Sequence, residues 1–360
     1  MKQQSFEDGV ILYGVPKVEY GPEGCTPYPM CVRACANYLG QDVPYHFVMA
    51  ASGAAFRLTW DMTSWNGGNV DLIFTFGDPL KSYRTAIEAL GRSFHLIGRN
   101  GKVQPTKEEF IAFLRKRIDA GVPCIALGVI GPPEACLITG YRENGQVLLG
   151  WNFFQDNPEF SAGTTTDDSG YFICRTWWEN PSTTAVIAMG DVAAPVFGPQ
   201  AVLQNAIEAL TGRKAGKYAK GLYAYDAWKR ALLDETQFPR NAVLPLLFER
   251  LMCQGDAMDC LMDGRYHAAL YLETLRERLP AHQRLCATAK AGFMEVFACV
   301  QNMAELLGGY ERGEEQLHRL ADTSVRQGLG RMIDKCKAAD ESAFAAMNAL
   351  YTALQQDTNN

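Results

Sequence analysis

The sequence predicts an α+β domain over residues 1–195 followed by an all-α helical domain over residues 196–360. Three observations carry this prediction. At 360 residues the chain exceeds the roughly 250–300 at which one hydrophobic core stops growing, so two domains are expected. Before residue 195, short apolar runs rich in Val, Ile and Phe alternate with Gly, Pro and Asn, as in VPCIALGVI, ACLITGY, QVLLGWNFF, GYFICRTWW and TTAVIAMG. That is the grammar of strands broken by turns. After DVAAPVFGP the strands stop, and apolar residues recur at spacings of three and four.

Taken in order, the first helix is predicted over Pro29–Leu39, with Pro27 and Pro29 at its start, and a second over Leu80–Leu90. A third runs from Lys107 to Ala120, opened by the capping box of TKEEF and ended by Gly121. Between Tyr141 and Gln146, YRENGQ carries Asn-Gly, a strong hairpin signal, so ACLITGY and QVLLGWNFF are expected to pair antiparallel. The second half contains AVLQNAIEALTG, GLYAYDAWKRALLD, RYHAALYLETLRERL, LCATAKAGFMEVFACVQNMAELLG and ESAFAAMNALYTAL, a bundle of about five to seven helices. Breaks are expected at Gly212, Pro239, Gly264, Pro280 and Gly308. No fixed period recurs, so a solenoid is not expected.

Composition narrows the function. Hydrophobic residues at 48% and charged residues at 21% are ordinary for a globular chain. The net charge of −6 is mild and basic residues are scattered, which excludes nucleic acid as an expected partner. The first residues, MKQQSFEDGVILYGVP, interrupt any apolar leader with acids, and no run approaches the about 18 apolar residues of a membrane span. The chain reads as cytosolic, without a membrane partner. Eleven cysteines, odd in number and without a C-x-x-C pair, read mostly as buried free thiols. No phosphate loop or dinucleotide fingerprint is present, and no cofactor is expected. Asp256, Asp259 and Asp263 share a helix face, but without neighbouring His or Gly-rich loop chemistry they do not read as a metal site.

Candidate chemistry begins at GCTPYPMCVRACANYLGQDVPY. Cys25 lies in a loop, and Cys31 and Cys35 share one face of the following helix. A thiol at a helix N-terminus has its thiolate stabilised by the dipole and free amides. The competing reading is that Cys31 and Cys35 face the core, leaving Cys25 as the better candidate for an exposed thiol. SWNGGNVD, with Trp60 and Trp65 nearby and Asn66 and Asn69 within it, suits the lining of a polar cleft or a surface loop. Tyr141 of the LITGY strand completes the expected ligand-binding set. Trp151, Trp177 and Trp178 read as packing residues, and Arg265, Tyr266 and His267 as a solvated helix start.

The cysteine before a helix ending NYLG, the segment ASGAAFRLTWDMTSWNGGNVD, and PP-x-x-x-LITGY-x-x-NG-x-x-LLGW-x-FF together resemble the N-terminal domain of the butirosin biosynthesis protein H family. The resemblance covers roughly the first half of the chain. It implies a papain-like fold of the double-glycine-leader-peptidase kind, with a central antiparallel sheet and a cysteine-bearing helix. In that fold the helix-start cysteine attacks a carbonyl, a strand histidine takes its proton, and an Asp or Asn one strand later orients the ring. The reaction implied is acyl transfer from a carrier protein's thioester to an aminoglycoside amine. On this chain Asn152 fits the orienting position, while Glu134 stands where the histidine is expected. By distance to Gly40 the nucleophile is expected near Pro27, between Cys25 and Cys31. Of the five histidines, His267, His282 and His318 belong to the helical half, and His46 and His95 lie far from the hairpin. His46, just after the cysteine helix, is the substitute imidazole or a packed ring. Glu134 acts as a base only if burial raises its pKa, and a carboxylate serves a thiol less well than imidazole.

Three functions are therefore compatible with the residues. The first is a degenerate papain-like protein that binds a small-molecule or peptide-like ligand without turning it over. The second is a cysteine-dependent acyltransferase or amide-forming enzyme, with an acyl carrier protein as partner. The third is an interaction protein working through its helical half, whose apolar faces also allow a homodimer. The missing histidine favours the first.

Overall fold

The computed structural model describes residues 3–99 and 104–359. In chain order it forms β1 (Gln3–Phe6), β2 (Gly9–Leu12), α1 (Pro27–Tyr38), α2 (Tyr45–Ala51), β3 (Thr59–Asp61), α3 (Lys81–Glu88), β4 (Arg92–Gly98) and α4 (Lys107–Asp119). Six strands follow: β5 (Cys124–Leu127), β6 (Ala135–Arg142), β7 (Val147–Trp151), β8 (Thr165–Thr166), β9 (Phe172–Cys174) and β10 (Ala185–Val192). The remainder is α5 (Pro199–Thr211), β11 (Lys214–Ala215), β12 (Tyr218–Lys220), α6 (Leu222–Leu233), α7 (Leu244–Arg278), α8 (Gln283–Leu307), α9 (Glu314–Ala321) and α10 (Thr323–Asn359). The chain divides into two compact units, Met1–Val48 with Ala86–Val196, and Met49–Thr85 with Phe197–Asn360. The change of pattern near residue 195 is thus a unit boundary, but the segment Met49–Thr85 belongs to the helical unit rather than to a continuous first domain.

The first unit is built on a nine-stranded antiparallel sheet in the order β4-β10-β5-β6-β7-β9-β8, with β2 beside the later half of β6 and β1 outside β2. β6 is buried along all but its last residue, which is why its sequence is a near-continuous apolar run. The β6–β7 turn places Glu143, Asn144 and Gly145 at φ of 52°, 56° and 100°, the left-handed backbone that Asn-Gly tolerates best. α1 packs on β5 and β6. It begins at Pro27 rather than Pro29, because proline at the first helical position gives up an amide that has no helical partner there. α4 carries the expected capping box: the Glu109 amide donates to Thr106 Oγ1 at 3.3 Å, and the Thr106 amide to Glu109 Oε2 at 2.7 Å.

The second unit departs from the expected pattern in three places. Strands do not stop after residue 195: β11 and β12 form a tight hairpin about Gly216, at φ 59°, and β12 pairs with β3. Two- and three-residue strands are too short to show periodicity. Gly264 is not a break, since α7 runs through it unbroken. A Cβ there would lie 2.9 Å from the Ala55 carbonyl oxygen, so the glycine serves close approach of the Ala54–Phe56 turn to the helix. Arg265 and His267 are buried mid-helix rather than solvated. The Arg265 guanidinium, wholly buried, donates to both Asp340 oxygens at 2.6–3.1 Å and to the Ala55 and Arg57 carbonyls at 2.8 and 3.1 Å. Tyr225 donates to Asp340 Oδ2 at 2.7 Å. Of the three aspartates on α7, Asp256 and Asp259 hold Arg312 at 2.7 and 2.8 Å, and Asp263 lies 3.3 Å from His267. The other breaks hold: Gly212 follows α5, Pro239 precedes α7, Pro280 follows it, and Gly308 caps α8 in the left-handed region. Among the described residues no helix is long and apolar enough to cross a membrane.

Candidate functional site

Cys25 immediately precedes Thr26, the N-cap of α1, and alone among the eleven cysteines is not buried. Its loop is fastened on both sides. Gly21 and Gly24 exchange backbone hydrogen bonds of 3.1 and 3.3 Å, the Tyr45 ring lies so close to Gly24 that a Cβ would meet it at 2.3 Å, and the Thr26 amide donates to Tyr45 Oη at 3.2 Å. His46, half-buried, follows that tyrosine on α2.

Cys31 sits a full turn inside α1 and faces the sheet with no exposed surface. Burial, reinforced by Cys136, Cys35 and Glu134 nearby, pushes its thiol well above the ordinary value. Burial raises Cys35 likewise, with Cys124 adding to it, and its Sγ contacts the Pro123 carbonyl at 3.9 Å. The helix dipole acts over the first turn only, so desolvation decides the state of both thiols.

The hairpin pairs Leu137 with Trp151, so the residues flanking that pair are Cys136 and Asn152. A hydrogen bond from Asn152 draws the Cys136 thiol down, but burial is the larger effect and leaves it at about 12. Asn152 itself is buried and committed: its Nδ2 donates to the Gly128 and Ile130 carbonyls at 3.3 and 3.4 Å, and its Oδ1 accepts the Phe154 amide at 2.8 Å. Cys136 Sγ also contacts the Gly128 carbonyl, at 3.5 Å. Glu134 lies just ahead of β6, half-buried, its carbonyl accepting the Gly128 amide at 2.9 Å. The structure therefore brings Cys31, Glu134, Cys136 and Asn152 into one neighbourhood, with a second thiol beside the asparagine.

That neighbourhood is bounded by the loop Gly128–Gly131, in which Gly128, Val129 and Gly131 have φ of 96°, 74° and 74°. A β-branched residue in the left-handed region costs on the order of 1–3 kcal/mol. Side chains grip the loop at several points: Val129 N donates to Thr183 Oγ1 at 3.1 Å, Asn180 Nδ2 donates to the Gly131 carbonyl at 3.0 Å, and Asn152 Nδ2 donates to the Gly128 and Ile130 carbonyls. Sequence reasoning missed Cys136, Val129, Thr183 and Asn180; the glycine spacing in GVIGPP was the available signal for a strained turn.

The ligand-binding candidates lie elsewhere. Tyr141 is on the same strand as Cys136 but five residues on, roughly 17 Å away by strand rise. It donates to Asp119 Oδ1 at 2.6 Å, and burial followed by that bond raises its hydroxyl pKa. Trp60, Trp65, Asn66 and Asn69 belong to the second unit. Trp60 is walled into its core, stacked on Trp228 with centroids 5.8 Å apart, and presents no face to a ligand. Asn66 accepts from Gly68 N and Tyr218 Oη, and the buried Asn69 donates to the Cys253 carbonyl at 3.0 Å. Asn66 also donates to Asp61, joining Lys217, Thr63 and Ser64. Burial alone would raise the Asp61 carboxyl, but donors led by Lys217 more than offset it and hold it well below the usual carboxylate range. Trp65 edges onto Trp60 and Phe238, yet also borders a cavity of about 130 Å³ with Asp61, Ser64, Arg230 and Gln237.

No protein-family model matches the chain, and no curated protein matches it.

Proposed function

We propose that this chain is a degenerate papain-like protein, akin to the butirosin biosynthesis protein H family, that binds a small-molecule or peptide-like ligand beside its hairpin and does not turn it over. One observation carries the reading: the asparagine that would orient a catalytic histidine donates instead to the Gly128 and Ile130 carbonyls. The group across from it is a buried thiol, and the helix cysteine nearest to both is itself buried and hard to ionise. With its asparagine committed to carbonyls and its thiols buried, the hairpin neighbourhood is poorly arranged for nucleophilic catalysis. The strained Gly128–Gly131 loop supports a retained binding role, because side chains maintain its cost in a way that packing alone does not require.

A second reading keeps one observation in its favour. Cys25 is half-exposed and directly precedes the α1 N-cap, where an acyltransferase nucleophile would stand to receive an acyl group from a carrier protein. The two readings separate by incubating the native protein with simple acyl thioesters and short peptides, then recording its intact mass and melting temperature. Ligand-induced stabilisation with no covalent adduct and unchanged compounds is expected. An acyl adduct on Cys25 or Cys31 overturns the binding-only reading.

A further inference from the structure

The seam between α8 and α10 carries a pair of cysteines in facing positions. A Cβ on Gly292 of α8 would lie 2.8 Å from the Ala339 carbonyl oxygen and 2.9 Å from the Ala343 Cβ, so the two helix backbones approach closely there. Seven residues along α8, the same antiparallel register sets Cys299 between Met332 and Cys336. Cys299 Sγ contacts the Met332 carbonyl, the acceptor of the Cys336 helical amide, at 3.3 Å. Gly328 continues the register against Leu306. The two thiols are hydrogen-bonded to one another, which sets their sulfurs side by side across the seam.

The two thiols differ in kind. A hydrogen bond from Cys336, outweighing burial and aided by Lys335, draws the Cys299 thiol below its ordinary value, whereas the other buried cysteines are raised. Donation of that bond and burial push Cys336 up. Cys299 retains 7% of its surface and Cys336 none. Two adjoining thiols, one with a little residual surface and one fully covered, form the arrangement in which an oxidised cysteine is resolved by its neighbour.

We propose that Cys299 and Cys336 form a reversible oxidation site that staples α8 to α10, with hydrogen peroxide as the class of oxidant. The Cys299 thiolate attacks one peroxide oxygen, the O–O bond breaks, and hydroxide leaves and takes up a proton as water, giving a sulfenic acid. Cys336, losing its proton, attacks that sulfur and expels a second hydroxide, also protonated to water. Two thiols and one peroxide thus become one disulfide and two waters, and a dithiol reductant reverses the change.

The test treats the native full-length protein with stoichiometric hydrogen peroxide, blocks remaining thiols in denaturant, and maps peptides without reduction. A Cys299–Cys336 linked peptide is expected, lost after dithiothreitol, together with a higher melting temperature for the oxidised form. In Cys336→Ser, dimedone should trap a sulfenic acid at Cys299; in Cys299→Ser, both products should vanish. Recovery of Cys299 in the wild type as a free, alkylated thiol, or as a sulfenic acid with no link to Cys336, overturns the proposal whether or not the variants fold.

Discussion

Replacing Asp340 by alanine tests how the discontinuous second unit is held together. Asp340 and Arg265 are both fully buried, and the guanidinium that Asp340 neutralises also binds the carbonyls of Ala55 and Arg57, so one charge pair joins α7 and α10 to the Met49–Thr85 segment. Removing one partner of a buried pair leaves a desolvated charge and costs about 3–5 kcal/mol. For a unit of about 200 residues each kcal/mol moves the melting temperature by about 2–4 °C, so Asp340→Ala should lower it by roughly 6–20 °C. The same principle makes the pair as a whole replaceable: Arg265→Met with Asp340→Leu should recover most of that loss, because neither charge remains. Tyr225→Phe removes one hydrogen bond and should cost about 1 kcal/mol. The assay is thermal and urea unfolding followed by far-UV circular dichroism, since the long helices dominate that signal. A loss below about 1 kcal/mol for Asp340→Ala, or a double variant weaker than both single variants, would show that this pair does not hold the segment in place.

Other outcomes follow from the same geometry. Gly264→Ala gains about 1 kcal/mol of helix propensity but forces a methyl group against the Ala55 carbonyl, so urea unfolding should show a net loss of up to about 2 kcal/mol. Burial, only partly offset by Arg57, raises the Asp71 carboxyl to about 6. The folded state then holds a proton that the unfolded state has released, so stability should fall by about 3 kcal/mol as pH rises from about 4 to 6, and Asp71→Asn should abolish that slope. Asn152→Ala leaves the Gly128 and Ile130 carbonyls without its donor and should cost about 1–3 kcal/mol, with faster amide exchange confined first to residues 128–131.

What could be read directly from the chain is local. Asn144-Gly145 specified its hairpin because few other residues adopt two successive left-handed conformations, and Thr106 with Glu109 marked the start of α4 because the capping bonds span only three residues. What escaped is long-range. Gly264 looked like a breaker because nothing near it in sequence reveals the Ala55 carbonyl, more than 200 residues earlier, that its missing side chain accommodates. Arg265 looked solvated because its counter-ion is 75 positions away. At the candidate site, Asn152 directly follows the hairpin, and its commitment to a loop 22–24 residues upstream is invisible to any local pattern. Helical spacing put Cys31 and Cys35 on one face; only the packing of α1 on β5 and β6 shows that this face points inward.

Whether the hairpin site holds an activated nucleophile is decided by the pH dependence of iodoacetamide labelling on the native protein, with each modified cysteine located by mass spectrometry. Cys31 and Cys136 should stay unlabelled until the protein unfolds. Rapid labelling of either residue below pH 7 would contradict the binding-only reading and make the acyltransferase reading the leading one.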